Sequence, residues 1–373
     1  MTAIATRNVP FFDYPQVFRE HEKEILEIVA DVGRRGAFIL QKDVDEFEEA
    51  IGRSIDARHV IGVANATDAL WMLCRAAGLG PGDEVVFCTH TMVATAAGIH
   101  FTGATPVPCE TGPDLVMDPS SAAKCITPRT KAIMPTQLNG RCADMDALRA
   151  LCDQHGLMLL EDSAQALGAK FKGQCAGTFG HGGVISFYPA KTLGCLGDGG
   201  CVVTNDDEIA SKVRQYRDHG RNADLEAEVW CLNSRLDNLQ AAILLYKFKY
   251  YDHWIQRRRE IAAMYQHRLA DMEQLVLPPG RDDDADRFDV FQNYEIAAEQ
   301  RDALRQHLRD RGVGTIIQWG GKPVHLMRRL GFQQELPYTE ELFTRLLLLP
   351  MNHFLSDDDV EYVCQVIRAF YAQ

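Results

Sequence analysis

The chain has 373 residues, with 39 Lys and Arg against 52 Asp and Glu, giving a formal net charge of −13. That balance excludes a nucleic-acid binder, whose affinity would rest on a basic surface neutralising phosphates. With 46% hydrophobic and 24% charged residues, disordered and collagen-like chains are excluded too, and the length points to two domains with ample core.

No apolar run approaches the ~18 residues a membrane helix needs, and Leu346–Leu349 is only a fragment of one. Near the N-terminus, Asp13, Glu20 and Glu22 mix with Arg7 and Arg19. This lacks the charged-then-apolar pattern of a secretory signal, so a cytoplasmic protein without a membrane partner is expected. The 11 cysteines contain no C-x-x-C pair and lie mostly in apolar stretches such as 85–88 and 200–203. They read as reduced, buried hydrophobes, with neither a disulfide framework nor a metal site.

In chain order, seven short β-rich runs are expected as strands: His59–Val63, Glu84–Cys88, Thr105–Cys109, 131–135, 157–161, 184–188 and Gly200–Thr204. Helical spacing of Ala69, Leu70, Leu73, Ala76 and Ala77 follows the first, and a helix over 145–152 stops at Gly156. Strands alternating with helices predict an α/β domain with a largely parallel sheet, whose ligands gather at the carboxyl ends of the strands. From about residue 235 the pattern changes. One long helix is predicted over 236–272, then a breaker-rich loop at 278–286, a strand near 291–296, a helix over 301–311, an apolar run at 313–317 and a last helix over Asp357–Tyr371. The Arg257, Arg258 and Arg259 run reads as the solvated face of the long helix, with a place near an anionic ligand as the alternative.

Three segments carry chemistry. Asn65-Ala66-Thr67-Asp68 stands between a strand and a helix. The unpaired N–H groups there would hold a phosphate with help from the Thr67 hydroxyl, unless Thr67 or Asp68 merely caps the helix. Glu161-Asp162-Ser163-Ala164-Gln165 follows an apolar strand and sets Asp162 toward a ligand, or leaves it as an N-cap. Ser186-Phe187-Tyr188-Pro189-Ala190-Lys191 puts a lysine in a stretch otherwise free of charge from Gly182 to Leu196, ahead of Gly197-Asp198-Gly199-Gly200. A lysine usually sits on a solvated face, but in such surroundings its amine can be tuned to act as a nucleophile. Jointly the three supply what pyridoxal phosphate requires: a lysine for a Schiff base, a carboxylate for the pyridinium nitrogen and a phosphate cradle.

With these motifs in place, the sequence resembles the DegT/StrS family of sugar-nucleotide aminotransferases over nearly its whole length. Further motifs carry the likeness: Val9-Pro10-Phe11-Phe12, Gly36-Ala37-Phe38-Ile39, Gly80-Pro81-Gly82-Asp83, Ala143-Asp144-Met145-Asp146, His219-Gly220 and Asn233-Ser234-Arg235-Leu236-Asp237. The resemblance implies an aspartate-aminotransferase-like α/β fold. Its large domain, residues 1–240, would hold a mostly parallel seven-stranded sheet, and a smaller C-terminal α+β domain would span 241–373.

It further implies that Lys191 and Asp162 are the catalytic pair, that Gln165 contacts the cofactor's phenolic oxygen, and that Ala66, Thr67 and Ser186 hold its phosphate. Asn233 would reach the phosphate from a neighbouring subunit, making a homodimer with shared sites. His325 would face the sugar, and Arg217, His219 and Arg221 are candidates for the substrate's diphosphate. Met92 stands where relatives carry an aromatic stacked on the cofactor, a place its thioether or His90 would fill. Gln137, Asn139, Thr192, Cys231 and Leu232 also depart from the common pattern.

The implied reaction moves an amino group from L-glutamate, leaving 2-oxoglutarate, through pyridoxamine phosphate to a nucleotide-diphosphate ketosugar. The destination would be a deoxyaminosugar, for instance of lipopolysaccharide. The Gly-Asp-Gly-Gly turn after Lys191 resembles members acting at sugar carbon 3, whereas many carbon-4 enzymes have Gly-Glu-Gly-Gly. A lysine at 191 also speaks against the dehydratase branch, which carries histidine there. A carbon-4 ketosugar, a free ketocyclitol, and a non-catalytic cofactor-binding regulator are the alternatives.

Overall fold

A computed structural model describes residues 6–372; residues 1–5 and 373, at the two ends of the expected domain ranges, lie outside it. Its central sheet has seven strands: β1 (His59–Val63), β2 (Glu84–Cys88), β3 (Thr105–Cys109), β4 (Thr130–Met134), β5 (Met158–Asp162), β6 (Gly182–Ser186) and β7 (Gly200–Thr204). Their spatial order is β1-β7-β6-β5-β4-β2-β3. Six run parallel, and β7 pairs antiparallel with both β1 and β6.

Every residue of β2, β6 and β7 is buried, as the near-continuous apolar runs of a sheet covered on both faces require. One covering helix, Ala66–Ala76, buries Ala69, Leu70, Met72 and Leu73 in the same cluster as Val85, Leu160, Val184 and Val202. On the other face, Phe47 and Ile51 of helix Lys42–Ile55 pack with Ile185, Phe187 and Val203.

The differences from the sequence reading have physical causes. Strand β6 starts two residues before the expected 184 because Gly182 and Gly183 are strand residues rather than a turn. A β-carbon on Gly182 would lie 2.7 Å from Leu73 Cδ1, and one on Gly183 2.5 Å from Gly177 Cα, so the helix and loop pack tightly there. The helix expected over 236–272 is two helices, Asn238–Phe248 and Tyr251–Leu269, broken at Lys249 and Tyr250. No glycine or proline marks that break. The first helix, through Ala241 and Leu244, and the start of the second, through Tyr251, Trp254 and Ile255, pack under the large sheet, whereas Ile261, Tyr265 and Leu269 further along pack under a C-terminal sheet.

That smaller sheet contains β8 (Leu275–Val276), β9 (Tyr294–Ala298) and β10 (Leu346–Leu349), with β9 central and both pairings antiparallel. The run at 313–317 forms no strand, only isolated bridges from Val313 to Val9 and from Ile316 to Leu348.

The arginine run is a correction. Arg258 is fully buried, and its Nη1 donates to the carbonyls of Phe291, Gln292 and Met351 at 3.0–3.1 Å. Arg259 is also buried, bonds the Asp289 carbonyl and lies 4.1 Å over the Phe288 ring. Arg257 meets the solvent-side carboxylates of Glu260 and Asp357, and Arg259 reaches the exposed Asp282 only at 3.9 Å. The cysteines are all free thiols, nine of them buried and Cys125 and Cys231 half-buried.

Candidate active site

A cavity of about 300 Å³ opens at the carboxyl ends of the parallel strands, lined by Ala66, Thr67, Met92, Asp162, Gln165, Ser186 and Lys191. Thr91, Thr136, Leu138, Tyr188, Asp198 and Trp319 complete much of its wall. Seven of the expected residues thus meet in one place.

The sheet topology explains how. Because β7 pairs with both β1 and β6, Val63 and Ser186 both lie opposite Gly200. The chain leaving β1 therefore begins its helix beside Ser186. Asn65, not Thr67 or Asp68, caps that helix: its Oδ1 accepts the Asp68 N–H at 2.9 Å. The N–H groups of Ala66 and Thr67, in the first helical turn, have no intrahelical partner. Together with the Thr67 and Ser186 hydroxyls and the positive end of the helix dipole, they make a cradle for a phosphate.

Asp162 ends β5. Successive side chains on a strand point to opposite faces, so Asp162 enters the cavity while Glu161 turns away. Glu161 accepts N–H groups from Gly177 and Phe179 and the Gln137 amide, which gives that departure from the common pattern a structural task. Asp162 is buried; it accepts the Thr95 hydroxyl on Oδ2 at 2.6 Å and the Ala164 N–H on Oδ1 at 3.1 Å. Burial pushes its carboxyl above the usual range, while those two bonds and the Lys191 charge pull it back.

Lys191 lies in the loop after β6. Burial pushes its amine down to about 8, and Asp162 acts in the opposite direction. Among the described residues the amine makes no hydrogen bond, whereas its loop is fixed. Thr192 donates its N–H to Gln292 and shares a hydroxyl contact with Tyr251, and Lys247 holds the Gly194 carbonyl. An unpaired amine whose proton is held less tightly than an ordinary lysine's, facing a carboxylate, is the arrangement of a nucleophile and proton carrier.

Gln165 accepts the Asn139 N–H on Oε1 at 2.8 Å. Its carbonyl end being engaged, its NH₂ group is the end left to donate to a ligand. Asn139 in turn joins a buried cluster with Glu295 and Gln318.

Other expected residues are placed elsewhere. His90 is fully buried edge-on against Phe343, so among the two candidates only Met92, 48% exposed, lies at the cavity. His325 is buried away from the cavity: Nδ1 meets the Thr89 hydroxyl at 2.8 Å and Nε2 meets Glu340 at 3.0 Å. It ties the turn Val324–Leu326 to the segment after β2. Arg217 is buried with Nη1 on Glu48 and the Gly62 carbonyl, and Arg221 grips both oxygens of Asp218. These two guanidiniums are committed to neighbours rather than to a diphosphate. His219 and Asn233 are exposed, on a two-armed loop joined by bridges Asp218–Asn233 and Arg221–Ala227.

The sequence reading missed Thr95, Thr136 and Trp319. The rule that ligands gather at strand carboxyl ends would have flagged the two threonines, which follow β2 and β4. Trp319 had no such signal. It sits at φ 53°, a left-handed conformation uncommon for a bulky side chain, in a turn fixed by Gln318.

The model of the DegT/DnrJ/EryC1/StrS aminotransferase family matches residues 19–368. The chain belongs to that family. Among curated relatives of this DegT/DnrJ/EryC1/StrS member, a "pleiotropic regulatory protein" of Geobacillus stearothermophilus is 40% identical over 98% of this chain and 99% of its own length. The "dTDP-3-amino-3,4,6-trideoxy-alpha-D-glucose transaminase" of Streptomyces venezuelae is 38% identical over 97% of this chain and 96% of its own. The crystal structure of S. venezuelae DesV in complex with a ketimine intermediate superposes with a TM-score of 0.94, at 38% identity over 99% of this chain and 100% of that one. Bacillus subtilis NtdA with bound pyridoxamine phosphate gives 0.89 at 25% identity, covering 100% of this chain and 87% of that one.

The aspartate-aminotransferase-like fold is thereby established, the enzyme is a transaminase, and its cofactor is pyridoxal phosphate. The cavity fits that group: an unpaired lysine amine, a buried carboxylate and a cradle of N–H and hydroxyl donors surround the space. No helix among the described residues is long and apolar enough to cross a membrane.

Proposed function

We propose that this transaminase moves an amino group from L-glutamate to a nucleotide-linked ketosugar, with sugar carbon 3 as the favoured position. The observation that carries the reading is the unpaired Lys191 amine facing buried Asp162 across a cavity with a phosphate cradle at one end. The relative named for a dTDP-3-amino sugar supports both the substrate class and the carbon.

When bound, pyridoxal phosphate supplies an electron sink for a carbanion at the carbon bearing the amine. Lys191 would anchor it, and its freed Nζ would carry the donor's α-proton as general base and then acid. Asp162 would pair with the cofactor's ring nitrogen and favour the protonated form. Ala66, Thr67 and Ser186 would hold the phosphate, Gln165 would offer its amide to the phenolic oxygen, and Met92 would pack against the ring.

A homodimer belongs to this reading, with Asn233 reaching the partner's phosphate. Its support is the exposed apolar surface on the same loop: Trp230 is 95% exposed, and Leu225 and Leu232 are exposed beside it. The diphosphate's cations would then be found among groups that the dimer assembles, since Arg217 and Arg221 are engaged in this protomer. The division into a large unit at 1–240 and a smaller one at 241–373 belongs to the same reading.

The test begins with the purified, cofactor-loaded protein and glutamate. Loss of the visible absorbance with release of 2-oxoglutarate is expected, and a protein that binds cofactor yet never completes this half-reaction is a regulator. Re-oxidation of the amine form by 3-keto nucleotide sugars, 4-keto nucleotide sugars and free ketocyclitols then separates the substrates. Lys191→Ala should lose both turnover and the visible absorbance; an active, yellow variant sinks the assignment.

A further inference from the structure

Three threonine hydroxyls line up behind Asp162. Thr136 Oγ1 donates to Thr91 Oγ1 at 2.9 Å, Thr91 and Thr95 share a bond of 2.7 Å, and Thr95 Oγ1 donates to Asp162 Oδ2 at 2.6 Å. All four residues are buried. A hydroxyl has one proton to give, and an ionised carboxylate can only accept. The Thr95 proton is therefore spent on Asp162, so Thr95 must accept from Thr91, and Thr91 must accept from Thr136. The shared bond has one direction as long as Asp162 is an anion.

These residues come from the ends of three neighbouring strands. Thr91 and Thr95 follow β2, Thr136 follows β4 and is bridged to Asp162, and Asp162 ends β5. With the Ala164 N–H on the other oxygen, both carboxylate oxygens meet donors. A protonated Asp162 would keep an acceptor oxygen but lose the charge that makes the Thr95 bond strong, so the row favours the ionised carboxylate. Hydrogen bonds in such a row polarise one another, and those ending on a charge are the strong ones.

We propose that Thr136, Thr91 and Thr95 form a one-way hydroxyl relay that holds Asp162 ionised and aimed at the ring nitrogen, making Thr95 a positioning residue for transamination. The relay rests on the role given to Asp162 above. Together with the Ala164 N–H and the Lys191 charge, it offsets part of what burial costs the charged carboxylate.

The test uses the holoenzyme loaded with cofactor labelled with ¹⁵N in the ring, compared across Thr95→Val, Thr95→Ser and Thr91→Val. Thr95→Val keeps the shape and deletes the donor. Its ring resonance should move toward the neutral value, with the pH at which the ring loses its proton falling by about one unit. The glutamate half-reaction should slow about tenfold or more at unchanged KM. Thr95→Ser should restore both readouts, and Thr91→Val should shift them in the same direction by less. A ring resonance unmoved in folded Thr95→Val, or left shifted in Thr95→Ser, overturns the relay. Asp162→Asn is run alongside: if it moves the resonance and Thr95→Val does not, the relay alone fails, whereas an unmoved resonance in Asp162→Asn overturns the assignment of Asp162 and the relay with it.

Discussion

Gly200 abuts Ala66 so closely that a β-carbon on it would sit 2.7 Å from the Ala66 amide nitrogen and 2.8 Å from the Asn65 carbonyl carbon. The contact joins the start of β7 to the first turn of the helix that forms the phosphate cradle. A side chain on Gly200 must push that turn away from Ser186, because the atoms it meets are backbone.

Gly200→Ala is therefore expected to weaken cofactor binding. Overpacking against backbone costs about 1–3 kcal/mol, which corresponds to roughly a five- to 150-fold rise in the dissociation constant measured by equilibrium dialysis. Gly33, in helix Glu22–Arg35 with nothing within 4 Å of its would-be β-carbon, is the control. Gly33→Ala should leave the affinity unchanged and add about 0.5–1 kcal/mol of stability. Equal affinity in Gly200→Ala and the parent chain would show that the cradle does not depend on this contact.

Much of this site was legible because its parts are local. A strand followed by a small-residue turn and a helix reads as a phosphate cradle, and Lys191 stood out as a charge in a charge-free stretch. Where residues act across the chain, the sequence was silent. Thr95 meets Asp162 only because β2 and β5 flank β4, an order no local pattern encodes. Arg258 looked solvated because it shares a helix with charged neighbours, yet the C-terminal sheet folds over it. Arg217 lay near the lysine motif in sequence, but its partner Glu48 comes from a helix far earlier in the chain, and His325, suggested by the resemblance alone, is held by Thr89 from the segment after β2.

Lys191 sets a pH dependence. Its amine is pushed down to about 8, so it is protonated and unreactive below that value and nucleophilic above it. Capture of pyridoxal phosphate by the cofactor-free protein, followed by the growth of visible absorbance, should speed up with rising pH around a midpoint near 8. A midpoint near the ordinary lysine value, about 10.4, would count against the environment described for this side chain.

Arg258 and Arg257 make a paired test of the buried arginine. Burial pushes the Arg258 guanidinium down to about 10, which leaves it charged at neutral pH and bonded to three carbonyls. Arg258→Ala strands those carbonyls and opens a void, and should cost about 3–5 kcal/mol in urea unfolding. Arg257→Ala removes pairs with Glu260 and Asp357 at the surface and should cost about 0–1 kcal/mol. Similar losses in the two variants would restore the reading of this run as a solvated face.

His353 governs the acid side. Its ring stacks on Trp254 at 4.6 Å, and burial, with Arg258 and Lys247 nearby, pushes it down to about 4 against the pull of Glu20. In the unfolded chain the same ring takes a proton near 6.5. A depressed value in the folded state means the neutral ring's contribution is fully present above about 6.5 and is lost as the pH falls toward 4. The shift corresponds to a loss on the order of 3 kcal/mol across that window. His353→Phe keeps a stacking ring and removes the titration, so its urea midpoint should fall less than that of the parent chain between pH 6.5 and pH 4. Parallel declines in the two proteins would assign the acid sensitivity to the carboxylates instead.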